Sequence, residues 1–489
     1  MRIRLAALLA CTLVACSDNS VLNPPPSNPS PTAPKLHRDG RWIRDDAGRV
    51  VLLHGVNAVW KVAPYFPPDE AAGFTEADAD YLAANGFNVV RLGVLFAGVM
   101  PQQDVIDPAY LENVDRVVQL LASRHIWVLL DFHQDMLNEK YQGEGFPAWA
   151  VDDGGFPIND ANKGFPGNEF ASVALNRAFD NLWANGGNVW DRYRDAWIAV
   201  ASRWKDQDYL LGYDLFNEPW PGTQWPTCFE MDCTAFDQTL QTFFEEILSG
   251  VRSVDAEHFA FIEPQQLFDF GAPSSMTAIA DPALGLSWHT YCSSTLFAPF
   301  GLPAGPDCTL LSVEQMTFDN AETQANALGA TSLITEFGAG DDLDDITRVV
   351  SAADAQITGW TYWAYKGWSD PTGNPGGEGL FSDDADLTTE KPKDDLLIRP
   401  YAQRIAGTPT AMSFDIATAT FTLDYDAADI SAPTEIFLPT RHYPAGFNVN
   451  VTGGTPASQP GSQILQITNA SDAGPVHVVV TPKPSPGAP

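Results

Sequence analysis

From Val50 onward the chain alternates short apolar runs with amphipathic stretches. Eight runs read as strands: Val50 to Asn57, Asn88 to Val94, Ile126 to His133, Leu210 to Pro219, Phe259 to Pro264, Leu284 to Tyr291, Ser332 to Gly338 and Ile357 to Tyr365. Most lack a polar residue at every second position, as strands covered on both faces should. Between them, Glu76 to Asn85, Tyr110 to Ser123, Asp191 to Lys205, Thr239 to Val254 and Leu343 to Ala353 carry helical periodicity. Eight such units over about 370 residues predict an α/β fold, a (β/α)8 TIM barrel with enlarged loops. After Gly407 the period changes to two. MSFDIATATFTLDYDA, EIFLPT, GFNVNVTG, QILQIT and VHVVVTP follow one another with Gly and Pro between them, which predicts a small antiparallel β-sandwich of about 75 residues.

The N-terminus has another character. Arg2 and Arg4 precede an apolar run from Leu5 to Ala15, too short for the roughly 20 residues of a membrane span and right for a secretory signal. Leu13-Val14-Ala15-Cys16 resembles the bacterial lipoprotein box, with Cys16 as the lipidated residue; a plain cleaved signal is the alternative. The Pro-rich segment from Ser20 to Pro34 packs poorly and reads as an extended tether. The expected organisation is a lipoprotein-type signal at 1–15, a tether at 16–35, a catalytic barrel at 36–407, a sandwich at 408–482 and a frayed tail at 483–489. The chain is expected to be exported, as a membrane-anchored lipoprotein of the outer membrane or cell surface or as a secreted protein, and monomeric.

Charge narrows the partners. Sixty-two acids against 27 bases leave a formal net charge of -35, which repels nucleic acid. The 14 Trp, 13 Tyr and 28 Phe suit a site that stacks flat ligands such as sugar rings. Beyond the signal and Cys16, four cysteines remain: Cys228, Cys233, Cys292 and Cys308. In an exported chain they suggest disulfides with three possible connectivities, the local pairs Cys228 with Cys233 and Cys292 with Cys308 being favoured because each staples one long loop. A zinc site is the alternative, although no His lies at ligand spacing.

Arg91, His133, Asn217, Glu218, Glu263, His289, Tyr291, Glu336 and Trp363 all fall at or near the C-terminal ends of predicted strands, where barrel enzymes build their sites. No glycine-rich phosphate loop follows the first strand, which removes a dinucleotide reading. Asn217-Glu218-Pro219 ends strand four and Thr335-Glu336-Phe337 ends strand seven, positions that face each other across a barrel mouth. Two carboxyls about 5 to 5.5 Å apart can cleave a glycosidic bond by double displacement. Glu218 is then the acid/base, kept protonated by its neighbour's negative charge, and Glu336 the nucleophile, held ionised by Arg91 and a hydroxyl such as that of Tyr291. Asn217 would bond the sugar 2-hydroxyl. Singly, each residue has a plainer explanation: a solvated strand-end acid, an Arg paired with a buried acid, a packed His or Trp. The acidic run Asp341 to Asp345 reads as a helix start rather than a calcium site. Leu267, Phe268, Phe270, Leu296, Phe297 and Phe300 fall after strands five and six and predict either an apolar rim or a packed barrel top. Tyr425, His442 and Tyr443 are the few aromatics that could make the sandwich a carbohydrate-binding module, and a structural role is expected instead.

NEP after strand four, HTY after strand six and TEFG after strand seven resemble the retaining glycoside hydrolases of family 5. Leu130 to Val151, AFDNLW (Ala178 to Trp183), YDLFNEPWPG (Tyr213 to Gly222), GWTYWAYKGW (Gly359 to Trp368) and RPYAQRIAGTP (Arg399 to Pro409) are similar to the endoglycoceramidase branch, over roughly Leu36 to Pro409. The resemblance implies hydrolysis, with retention and without a metal or other cofactor, of the β-linkage between glycan and ceramide. It assigns Glu218 as acid/base, Glu336 as nucleophile, and Lys61, His133, Asp135, Asn217, Tyr291 and Trp363 as sugar-binding; Arg91 and His289, read from their strand-end positions, are expected to support them. A glycolipid or an oligosaccharide is the expected partner. The alternatives are a family 5 β-glucosidase, galactosidase or endoglucanase acting on other glycosides, and a glycan-binding lipoprotein without activity.

Overall fold

The computed structural model describes residues 33–158, 163–292, 313–458, 461–472 and 474–484. The signal, Cys16, most of the tether, Leu296, Phe297, Phe300, Cys308 and the last residues of the tail lie outside the described residues. Eight parallel strands close into a barrel: His54–Ala58, Val89–Val94, Trp127–Phe132, Leu210–Asp214, Phe259–Ile262, Leu284–Thr290, Thr331–Phe337 and Gly359–Tyr362. The last pairs with the first, Trp360 opposite His54 and Tyr362 opposite Val56. Nearly every residue in these strands is buried, because one face fills the barrel and the other meets the outer helices. That two-sided burial is why the strands read as continuous apolar runs.

The outer ring includes helices at Glu76–Ala84, Pro108–Ala122, Val189–Trp204, Thr234–Arg252, Val313–Leu328 and Leu343–Gln356. Pro108–Ala122 starts where its sequence says it must, with Pro at the first turn and the Asp107 side chain accepting from the amides of Ala109 and Tyr110. At Leu343–Gln356 the acidic run is a cap: Asp342 accepts from the amides of Asp344 and Asp345. Strict alternation fails once, since only the short turn Gln266–Phe270 lies among the helical elements between the fifth and sixth strands. There Leu267 and Phe268 are fully packed and Phe270 is half-buried, so this stretch covers the barrel top and is not a free rim. Among the described residues no helix is long and apolar enough to cross a membrane.

The second domain differs from expectation in its membership. One sheet runs Leu36–Asp39, Trp42–Asp45, Val50–Val51, Tyr401–Ile405, Thr434–Phe437, Ile464–Asn469, Gly454–Ala457; the other runs Gly407–Asp415, Thr420–Ala427, Pro475–Pro482, Phe447–Thr452. The chain's first three described strands thus belong to the C-terminal sandwich and not to the barrel. The apolar run Val50 to Asn57 is two strands joined end to end: Val50–Val51 pairs with Arg404 and Ile405, and His54–Ala58 enters the barrel. The sandwich caps the N-terminal end of the barrel. Tyr401 donates to the carbonyl of Gly86 at 2.7 Å, and His54 stacks between Trp360 and Tyr401 at 4.3 and 3.8 Å. Gly86 (φ +78) has the Phe437 ring where a Cβ would come within 2.3 Å, so only glycine fits that turn. Tyr425 and Tyr443 are buried and His442 is half-buried, its ring bonded to the carbonyl of Ile398 at 3.0 Å. The aromatics that a carbohydrate-binding face would need are spent on packing.

Candidate active site

Arg91, on the second barrel strand, organises the floor of the mouth. Its guanidinium is fully buried and bonded in every direction: to Glu336 Oε1 at 2.5 Å, Asp214 at 2.8 Å, Asp131 at 3.0 Å, Asn217 Oδ1 at 2.8 Å and Asn57 Oδ1 at 3.2 Å. An arginine with no access to water requires such partners. Asp131 and Asp214 interrupt two apolar strands, a readable signal in the sequence: an acid inside a buried run demands a buried cation.

Glu336 ends the seventh strand. Arg91 holds one oxygen and the Tyr291 hydroxyl donates to the other at 2.7 Å. Glu218 ends the fourth, one residue beyond Asn217, with φ +44, a region that costs a non-glycine residue energy and persists only where neighbours impose it. Gln134 imposes it, donating to the carbonyls of Asn217 and Glu218 at 2.8 and 3.0 Å. Glu218 accepts from Gln266 at 3.0 Å and meets His289 Nδ1 at 2.9 Å. His289 Nδ1 also lies 3.5 Å from Glu336 Oε2. One oxygen of each glutamate and this ring nitrogen all fall within 4.8 Å of one another. That proximity is on the scale of the about 5 to 5.5 Å between a nucleophile and its acid/base partner, and short of the roughly 6.5 to 9.5 Å of an inverting pair.

The two glutamates sit in different fields. Burial first, then the charge of Asp135, pushes Glu218 up to about 8, with His133, Lys61 and Arg91 opposing. The expected cause was the neighbouring glutamate's charge. That charge is spent on Arg91 and Tyr291, and burial does the work instead. Burial, more than the surrounding charges, also lowers His289 to about 3, so its ring is neutral and adds no positive charge that would acidify Glu218.

A cleft of about 490 Å3 holds this pair; its lining includes Lys61, His133, Asp135, Trp363 and Thr372, and also the apolar Phe165, Pro166 and Phe270. Lys61 Nζ lies 2.6 Å from Asp135, 2.9 Å from Asp370 and 2.8 Å from the Thr372 hydroxyl, 4.3 Å above the Trp363 ring. The His133 ring is parallel to that of Trp363 at 5.1 Å and bonds Asp131 at 2.8 Å. Burial opposes its protonation, but Asp131 and Asp135 raise it to about 9. Asp135, although buried, is held well below the carboxylate range by Lys61 and His133. The result is a charged, pre-ordered polar wall beside an indole face, suited to sugar hydroxyls and ring carbons.

Sequence reasoning named Lys61, His133, Asp135, Tyr291, Glu218, Glu336 and Trp363, and all of them line this cleft. Arg91, Asn217 and His289 stand behind its wall; the Asn217 amide is held by Arg91 and by the Gln134 carbonyl at 3.0 Å. Gln266, Asp370, Thr372 and the Gly373-Asn374 turn were missed, the last three because a loop after the eighth strand carries no periodic signal. Among the described residues three acid and histidine groups have metal-like spacing. Two already hold a cation of the protein, Lys61 on Asp135 and Arg91 on Glu336. In the third, burial pushes Glu263 and Asp269 well above the carboxylate range. The Cys228–Cys233 disulfide is present; the other expected pair includes Cys308, outside the described residues.

Residues 45–369 match the model of the cellulase family, glycosyl hydrolase family 5, and residues 399–480 match the glycoside hydrolase family 5 C-terminal domain. The chain is 35% identical over 461 residues to endoglycoceramidase I of Rhodococcus hoagii, covering 93% of this chain and 89% of that one. It is similar in fold to endo-glycoceramidase II of a Rhodococcus species, solved as a lactosyl-enzyme intermediate (TM-score 0.74, 28% identity) and as a ganglioside GM3 complex (TM-score 0.75, 28% identity). Each match covers 91% of this chain and 100% of the other.

Proposed function

The chain belongs to glycosyl hydrolase family 5 and is a glycosidase, and on that premise we propose that it cleaves the linkage between the glycan and the ceramide of glycosphingolipids, with retention. In the first step a Glu336 oxygen attacks the anomeric carbon while Glu218 gives its proton to the departing ceramide oxygen. Ceramide leaves and the glycan stays as an ester on Glu336. In the second step Glu218, now a carboxylate, takes a proton from water as the water oxygen attacks the same carbon, which frees Glu336 and restores the acid. Arg91 and the Tyr291 hydroxyl hold the two oxygens of Glu336 in place; burial keeps Glu218 protonated at neutral pH. Lys61, His133, Asp135, Thr372 and Trp363 would hold the glycan, and the apolar lining residues Phe165, Pro166 and Phe270 would take the first part of the lipid. The observation that carries this reading is that one oxygen of each glutamate lies within 4.8 Å of the other in a cleft lined by both polar and apolar side chains. Support for the substrate comes from the endoglycoceramidase relatives, one of them seen with a ganglioside. Export as a lipoprotein suits the reading, and the Cys228–Cys233 disulfide fits an oxidising compartment.

The test is turnover of fluorescent glycosylceramide beside a soluble aryl glycoside. Intact oligosaccharide plus ceramide is the expected product. Cleavage of the aryl substrate alone would mean a different family 5 specificity, and binding without turnover of either would mean a glycan-binding protein.

A further inference from the structure

The distribution of exposed apolar side chains over the barrel is one-sided. Among the described residues every large exposed one but Ile416 lies between a barrel strand and the helix that follows it, or in the first turns of that helix: Val105 after the second strand, Phe156, Ile158 and Val173 after the third, Phe229 and Met231 after the fourth, Met316 after the sixth, Leu343 after the seventh. All of these segments belong to the mouth, because they leave the C-terminal ends of the strands. The opposite end is covered by the sandwich. A soluble protein scatters single apolar residues at random over its surface, whereas a concentration on one face marks a contact surface.

The fourth-strand segment is the most built of these features. The helix Trp225–Phe229 ends in the loop Cys228-Phe229-Glu230-Met231-Asp232-Cys233, closed by the disulfide. Both cysteines are buried, while Phe229 and Met231 stand 53% and 49% exposed. The disulfide therefore fixes a tip whose apolar side chains point away from the protein. Behind it, Trp225 meets Phe229 at 6.4 Å and Phe170 at 5.1 Å. The same helix packs on the turn Gln266–Phe270, whose Phe270 lines the cleft. Tip, helix, turn and cleft wall make one continuous path.

We propose that the barrel mouth docks on the surface of a neutral or zwitterionic lipid aggregate, led by Phe229 and Met231 on the disulfide-closed loop, so that a lipid leaving that surface enters the cleft along Phe270. The inference rests on the glycolipid reading above. Charge selects the kind of surface. Glu230 and Asp232 alternate with the two apolar residues and are themselves exposed, and the chain carries -35 overall. An anionic membrane would repel such a tip, while choline headgroups bring ammonium groups to meet the carboxylates and leave the phenyl and thioether to enter the interface.

The experiment uses the full chain carrying Cys16→Ser, so that no acyl anchor contributes. Flotation with phosphatidylcholine vesicles should show binding, and Phe229→Ser/Met231→Ser in that background should weaken it about tenfold. Replacing about a third of the lipid by phosphatidylserine should weaken it too. The same double variant should lose about tenfold in turnover of long-chain glycosylceramide held in vesicles, and nothing on a short-chain, monomeric glycosylceramide. Unchanged vesicle binding by the double variant, or tighter binding to the anionic vesicles, would overturn the proposal. Cleavage of neither glycosylceramide, with vesicle binding still dependent on Phe229 and Met231, would overturn the substrate reading and leave the docking surface standing.

Discussion

At the scale of single residues, the site works by giving two like side chains opposite environments. Glu218 is raised to about 8 by burial and then by Asp135, so its proton is present below that pH and leaves as pH rises through it. The basic limb of kcat/KM should accordingly fall near pH 8, and Glu218→Ala should lose turnover on glycolipid while azide restores cleavage of substrates with good leaving groups, since only the proton donor is gone. Equal loss on every substrate, without rescue, would remove Glu218 from that role. Thr372 tests the polar wall. Its hydroxyl accepts from Lys61 and donates to Asp135 at 2.7 Å, so Thr372→Val unlocks that pair and should raise KM by about tenfold with a smaller change in kcat. A fall in kcat at constant KM would place Thr372 in the chemical step instead. The glutamates were legible because each breaks an apolar strand at its C-terminal end. Thr372 was not, because a polar residue in a polar loop stands out only when the fold brings Lys61 to it.

At the scale of elements, the eight strands could be read from the sequence because two-sided burial leaves each one as an unbroken apolar run between polar segments. The same property hid the boundary at Val51. Two apolar strands in different sheets, joined by Leu52 and Leu53, look like one, and nothing local says that residues 36–51 belong with a sheet formed some 350 positions later. That arrangement makes the sandwich a clamp on the barrel's closed end. Phe437, buried against Gly86, is one of its contacts, and Phe437→Ala should cost about 3 to 5 kcal/mol. Thermal unfolding should show the loss, with kcat and KM of the folded enzyme unchanged because the site is at the other end. A changed KM would mean that the clamp shapes the mouth as well.

At the scale of the whole molecule, acidity governs stability. Burial raises Asp214 to about 7 and Glu218 and Glu378 to about 8, and His133, against its burial, is raised to about 9 by Asp131 and Asp135. Each of these groups binds its proton more tightly folded than unfolded, so the stability it contributes is complete below the unfolded value and is lost as pH rises through the folded one. His289, lowered to about 3 by burial, acts in reverse and favours the fold as pH rises from 3 toward its ordinary value near 6.5. Between about pH 4 and 6.5 the three carboxyls lose more than His289 gains, so the midpoint of thermal unfolding should be highest near pH 4 and fall by several degrees toward pH 9; a midpoint that rises over that range would contradict the protonated state of these carboxyls. The account as a whole rests on a covalent bond between sugar and Glu336. An activated 2-deoxy-2-fluoro glycoside that forms the ester and hydrolyses it slowly should add the mass of one glycosyl group to the intact protein, and peptide mapping should find that mass on the segment carrying Glu336. No adduct, or an adduct on Glu218, would contradict it.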